Sequence, residues 1–146
     1  MVKAKDFLTP TEEQELVQAI VEAEQNTSGE IRVHIEENSS KPPLERAKEV
    51  FYELGMEATQ LKNGVLFYVC LQTKSFALLG DQGIHEKVEA DFWDSTKNSV
   101  LSHFKNGAYK QGLVEGILRA GERLKQYFPY DAATDTNELS NEISRS

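Results

Sequence analysis

The chain has 146 residues, enough for one domain with a real core and no dependence on disulfides or structural metal. Its 39% hydrophobic and 27% charged residues are those of a soluble globular protein, and 24 acidic against 16 basic residues leave a net charge of −8. That balance argues against nucleic-acid binding, which needs a concentrated basic surface. No apolar run approaches the ~20 residues of a membrane span, so no membrane insertion is expected.

The N-terminal stretch Met1-Val2-Lys3-Ala4-Lys5-Asp6 has no apolar signal core, and a cytoplasmic location is expected. Cys70 is the single cysteine, so no intrachain disulfide forms. Within Val65–Leu71 it reads as a small buried hydrophobe.

In chain order, Thr9-Pro10-Thr11-Glu12 starts a helix with a capping box and a proline in the first turn. Leu16, Val17, Ile20 and Val21 give it one apolar stripe. Ile31, Val33 and Ile35 alternate with Arg32, His34 and Glu36, the pattern of a strand with one buried face. Ala47, Val50, Phe51 and Leu54 mark a second amphipathic helix.

Asn63-Gly64 turns the chain into Val65–Leu71, apolar on both faces and therefore a central strand. Gln72-Thr73-Lys74 connects it to Ser75–Leu79 as a hairpin. Two glycines then bracket Asp81, and a third helix is expected to carry Val88, Phe92, Ser95 and Ser99 on one face, with Asp91 and Asp94 sharing another. His34, His85 and His103 show no metal-ligand spacing and read as surface or rim residues.

Leu113, Ile117, Leu124 and Phe128 line a fourth helix on which Gly112, Gly116 and Ala120 recur every four residues. Glycine costs a helix roughly 1 kcal/mol relative to alanine, so this small-residue ridge points to close packing. Residues 1–130 read as one domain and 131–146 as an acidic, mobile tail.

This order predicts a three-layer α/β/α sandwich, with a small mixed sheet and helices on both faces. The first two strands should be parallel with a right-handed crossover, and the third antiparallel to the second. Gly29-Glu30, Asn63-Gly64 and Gly80-Asp81 then fall at one end of the sheet, bringing two carboxylates and an amide together.

The same turns carry a family resemblance. Thr27-Ser28-Gly29-Glu30-Ile31-Arg32-Val33, Asn63-Gly64-Val65-Leu66 and Gly80-Asp81-Gln82-Gly83-Ile84-His85-Glu86-Lys87-Val88 resemble the motifs of the TPM domain family, in its stand-alone bacterial form. Phe104-Lys105-Asn106-Gly107 with Gly112-Leu113, and Phe128-Pro129 with Asn137-Glu138-Leu139, fit in order and spacing.

The resemblance implies an α/β/α fold. It also implies binding of calcium or another divalent cation, as in some members, or acid phosphatase activity, as described for a plant thylakoid member. Many relatives carry a signal peptide and a membrane helix, neither of which is seen here. No Cys-x5-Arg loop, Asp-x-Asp strand start or Arg-His-Gly motif accompanies the phosphatase alternative.

Hard cations need several oxygen ligands, and calcium takes six to eight. Glu30, Asn63, Asp81 and Asp94 are the candidate ligands, with calcium expected and magnesium as the second choice. In the bland reading Asp81 caps a helix, Asn63-Gly64 is only a turn and Glu30 pairs with a cation. A phosphatase would use the same site, with Asp81 as ligand or base and Arg32 or Lys87 meeting the phosphate. The leading expectation is a monomer with a binding or accessory role, acting through a protein partner or with the ion simply stabilising the loops.

Overall fold

The computed structural model describes residue 3, residues 6–130 and residues 138–146. Helix α1 (Pro10–Glu24) opens with the expected capping box, in which Thr9 and Glu12 exchange side-chain and backbone hydrogen bonds. Strand β1 (Glu30–Glu36) follows, then α2 (Pro43–Glu53) and a single 3₁₀ turn at Met56–Ala58. The hairpin of β2 (Gly64–Cys70) and β3 (Ser75–Gly80) comes next. A one-turn helix α3 (Gln82–His85), then α4 (Asp94–Lys105) and α5 (Tyr109–Leu124), and a short β4 (Ser144–Arg145) complete the described elements.

The strands form one mixed sheet in the order β3-β2-β1-β4. β1 runs parallel to β2, pairing Glu30 with Gly64 and Glu36 with Cys70, and β3 is antiparallel to β2. One face packs Ile31, Val33, Ile35, Val65, Phe67 and Val69 against α1, α4 and α5. The other sets Leu66, Tyr68 and Cys70 under α2 and Met56. This is the three-layer α/β/α sandwich.

The small-residue ridge does what its spacing implies. A Cβ on Gly116 would lie 2.5 Å from Val100 Cγ2, and one on Gly112 would lie 2.8 Å from His103 Cβ. The two glycines therefore let α5 approach α4 more closely than any side chain permits.

Five expectations need correction. The third helix is not continuous. α3 ends after one turn, and α4 buries Thr96, Val100 and Phe104 instead of Ser95 and Ser99. The intervening His85-Glu86-Lys87 and Glu89-Ala90-Asp91 offer too little apolar surface to hold a helix on the core. Breaking it lets Phe92 and Trp93 turn inward together, with rings 4.6 Å apart edge to face. Asp91 lies in the turn before α4, so it shares no helix face with Asp94.

β1 is not half-exposed, because Glu30, His34 and Glu36 are buried beside Ile31, Val33 and Ile35. Neither is His34 a rim residue, at 4% exposure. The cause is the C-terminal segment. Of the expected mobile tail, residues 131–137 lie outside the described residues, whereas 138–146 run along β1. β4 pairs there in parallel with His34 and Ile35, and Leu139 and Ile143 are buried.

Candidate functional site

At one end of the sheet the three turns meet as the topology requires. The Glu30 N–H donates to the Asn63 carbonyl at 3.2 Å, and the Asp81 N–H donates to the Gly64 carbonyl at 2.9 Å. Asn63 is 1% exposed; its N–H donates to Thr59 Oγ1 at 3.2 Å and its Nδ2 to Ser28 Oγ at 3.4 Å.

Asp81 caps α3. Its Oδ1 accepts from the Gln82 N–H at 2.7 Å, and its carbonyl accepts from the N–H groups of Ile84 and His85. Its Oδ2 is shut off from solvent and has no hydrogen-bond partner among the described residues. A carboxyl oxygen in that condition is an open acceptor, since burial has removed its water and nothing replaces it.

Two residues beyond Asp81, backbone oxygens crowd Gly83. Gly83 sits so close to the loop before β2 that a Cβ on it would lie 2.2 Å from the Leu61 carbonyl oxygen and 2.5 Å from that of Lys62. The Lys62 carbonyl accepts the Gly83 N–H at 2.8 Å. Only glycine permits this approach. A shallow cavity of about 260 Å³ beside Asp81 is bordered by Lys48, Tyr52, Gln82 and His85.

The other expected ligands are placed differently. Both Glu30 oxygens are engaged by the C-terminal segment, accepting the N–H groups of Glu138 at 3.0 Å and Leu139 at 2.8 Å. Burial, opposed by those hydrogen bonds, raises the Glu30 carboxyl to about 7. Nearby Glu24 accepts the Ile31 N–H at 2.9 Å and is likewise raised to about 7, by burial first and by Glu30 as well. Asp94 is exposed at the first turn of α4. Among the described residues, no group of three or more His, Cys, Asp or Glu side chains is placed to hold a metal ion.

Sequence reasoning gives no role to two further groups. Glu57 Oε2, in the turn before the Leu61–Asn63 loop, is also buried without a partner. At the other end of β1, Glu36 takes a two-pronged contact from Arg46 at 2.9 Å, the Tyr68 hydroxyl at 2.6 Å and the Ser146 hydroxyl at 2.8 Å. Burial alone would raise Glu36, but Arg46, Tyr68 and Ser146 overcome it and hold the carboxyl at about 2.

His34 stacks on Tyr68 and bridges Ser144 and Ser146. Burial, the largest influence, lowers its pKa. With its acceptors filled, the Glu36 network serves to fasten the segment. Leu139 and Ile143, two apolar residues in a polar tail, were the signal that it docks.

The family model of the TPM domain matches residues 1–123. The NMR structure of the BA42 protein from the psychrophilic bacterium Bizionia argentinensis is 49% identical, with a TM-score of 0.93 and 100% of both chains covered. The solution NMR structure of the N-terminal domain of a protein from P. gingivalis is 18% identical, with a TM-score of 0.66 over 84% of this chain and 79% of that one. The second likeness shows the fold alone. No curated protein matches. Among the described residues no helix is long and apolar enough to cross a membrane.

Proposed function

The chain belongs to the TPM domain family, and on that footing we propose that it binds a divalent cation, calcium ahead of magnesium, at the sheet end built around Asp81. The observation that carries this reading is the buried, unpartnered Asp81 Oδ2. A cation would restore the electrostatic partner that burial removed.

The donors this reading assigns are all oxygens: the Asp81 carboxylate, the Asn63 side chain and the carbonyls of the Leu61–Asn63 loop, which packs on Gly83. Mixed carboxylate, amide and carbonyl oxygen suits calcium, which tolerates irregular geometry, better than magnesium, which demands an octahedron and keeps its water. A net charge of −8 raises the local concentration of cations.

Glu30, occupied by the C-terminal segment, lies outside this ligand set, as does exposed Asp94. Bound, the ion would tie the loop before β2 to α3, giving the domain a cation-dependent binding or accessory role. A metal-dependent phosphatase would need the same ion to polarise phosphate, and no positioned nucleophile favours that reading over plain binding.

Calorimetric titration with Ca²⁺ and with Mg²⁺ tests the site. Saturable binding is expected in the wild type and in Glu30→Gln, and its loss in Asp81→Asn, which keeps the cap oxygen. Absence of heat in the wild type, or binding intact in Asp81→Asn, overturns the proposal. Hydrolysis of p-nitrophenyl phosphate that is calcium-dependent and abolished by Asp81→Asn would move the assignment to an enzyme.

A further inference from the structure

At the opposite end of the sheet, beyond the C-terminal end of β2, lies a cavity of about 660 Å³. Phe7, Val69, Leu71, Phe104 and Tyr109 form its apolar walls, with Lys74 at the border. The aromatic walls are braced edge to face, Phe7 on Tyr109 at 5.2 Å and Phe104 on Tyr109 at 5.0 Å between ring centres. The volume lies within the range of roughly 300–1,000 Å³ in which small ligands are held. The position is the turn end of the antiparallel β2–β3 hairpin, beyond the last residue of β2.

Lys74 also borders an adjoining cleft, shared with Phe104 and Tyr109, whose rim carries Lys105. Among the described residues neither lysine makes an ion pair, in a chain with an excess of acid. Lys74 holds a left-handed backbone conformation, φ 54°, at the β2–β3 turn, where glycine or asparagine would sit with less strain. A cation is thus kept at the cavity mouth at a backbone cost. Asp6 and Lys74 both border the cavity, and Lys105 adds a second positive charge from the adjoining cleft.

We propose that this cavity binds a small amphipathic anion, an acyl carboxylate whose chain lies among Phe7, Leu71, Phe104 and Tyr109 and whose head meets Lys74. The walls select by apolar area, and the lysines select charge over a neutral head. The site is separate from the cation site at Asp81, so either can fail without the other.

The test is a titration of ¹⁵N-labelled protein with hexanoate, octanoate and decanoate below their micellar concentrations, with acetate and decanol as controls. Saturable shifts are expected at Phe7, Leu71, Phe104 and Tyr109, with affinity rising about threefold per added methylene and none for acetate. Lys74→Gly should weaken decanoate about fivefold and leave decanol unchanged. Leu71→Trp, which fills the cavity from a half-buried position, should abolish both while the thermal melt shows the fold retained.

Absence of saturable shifts overturns the proposal, as does decanoate binding equally well to Lys74→Gly. Sedimentation with phosphatidylglycerol vesicles without binding of monomeric decanoate would identify a lipid surface instead and overturn it equally.

Discussion

Glu30 and Glu36 stand at opposite ends of β1, 3% and 5% exposed, and both hold the same C-terminal segment, yet their environments push them in opposite directions. Glu30 meets the backbone N–H groups of Glu138 and Leu139 and the carboxyl of Glu138, with Glu24 nearby, and burial carries its own carboxyl up to about 7. Glu36 is equally enclosed, but a guanidinium and two hydroxyls carry it down to about 2. Two carboxylates fastening one segment can therefore differ by whether a full positive charge answers the buried negative one.

The pH dependence follows with its sign. A carboxyl raised from 4.5 to about 7 contributes stability that is fully present below 4.5 and lost as pH rises through about 7, which is the case for Glu30 and Glu24. One lowered from 4.5 to about 2 contributes stability present above 4.5 and lost as pH falls through about 2, which is the case for Glu36. The melting temperature should therefore peak near about pH 5 and decline towards pH 8.

The widest disruption removes the segment both acids hold. A chain ending at residue 137 gives up the burial of Leu139 and Ile143 and both sets of hydrogen bonds. It should lose about 4 kcal/mol in urea denaturation, and Glu30 should move down towards 4.5 in an NMR titration.

Next in size, Glu36→Ala leaves Arg46 and the Tyr68 hydroxyl without their buried partner and should cost about 3 kcal/mol at pH 7, again by urea denaturation. The smallest effect sharpens the contrast most. Glu30→Gln should cost about 1 kcal/mol at pH 5 and little at pH 8, flattening the decline of melting temperature between them. A slope unchanged in that variant would assign the dependence to Glu24.

Much of the fold was legible because its signals are local. The Thr9–Glu12 capping box, the all-apolar β2 and the Gly112–Gly116–Ala120 ridge each announce one element that is present, although the helix of the ridge ends at Leu124 and leaves Phe128 beyond it. Convergence of the turns at Glu30, Asn63 and Asp81 was also legible, because strand order and direction dictate it. What the side chains do there was not. The carboxylate of Glu30 is a candidate ligand on sequence grounds, but in the fold its partners are N–H groups more than a hundred residues away. The break between α3 and α4 was hidden for a similar reason. Val88, Phe92 and the residues beyond satisfy a helical period, and the polar residues among them, together with the packing of Phe92 and Trp93 on the core, interrupt it.

By itself, the sequence determined the layers of this protein: where helices cap, which strand is central and which loops share a sheet end. Those follow from periodicity and backbone chemistry within a few residues. Tertiary structure alone decided that the polar face of β1 is buried, that Asp81 keeps an oxygen without a partner, and that Glu30 and Glu36 part in charge. Each depends on which distant group arrives to replace water, and the energy of a buried charge is set by that neighbour.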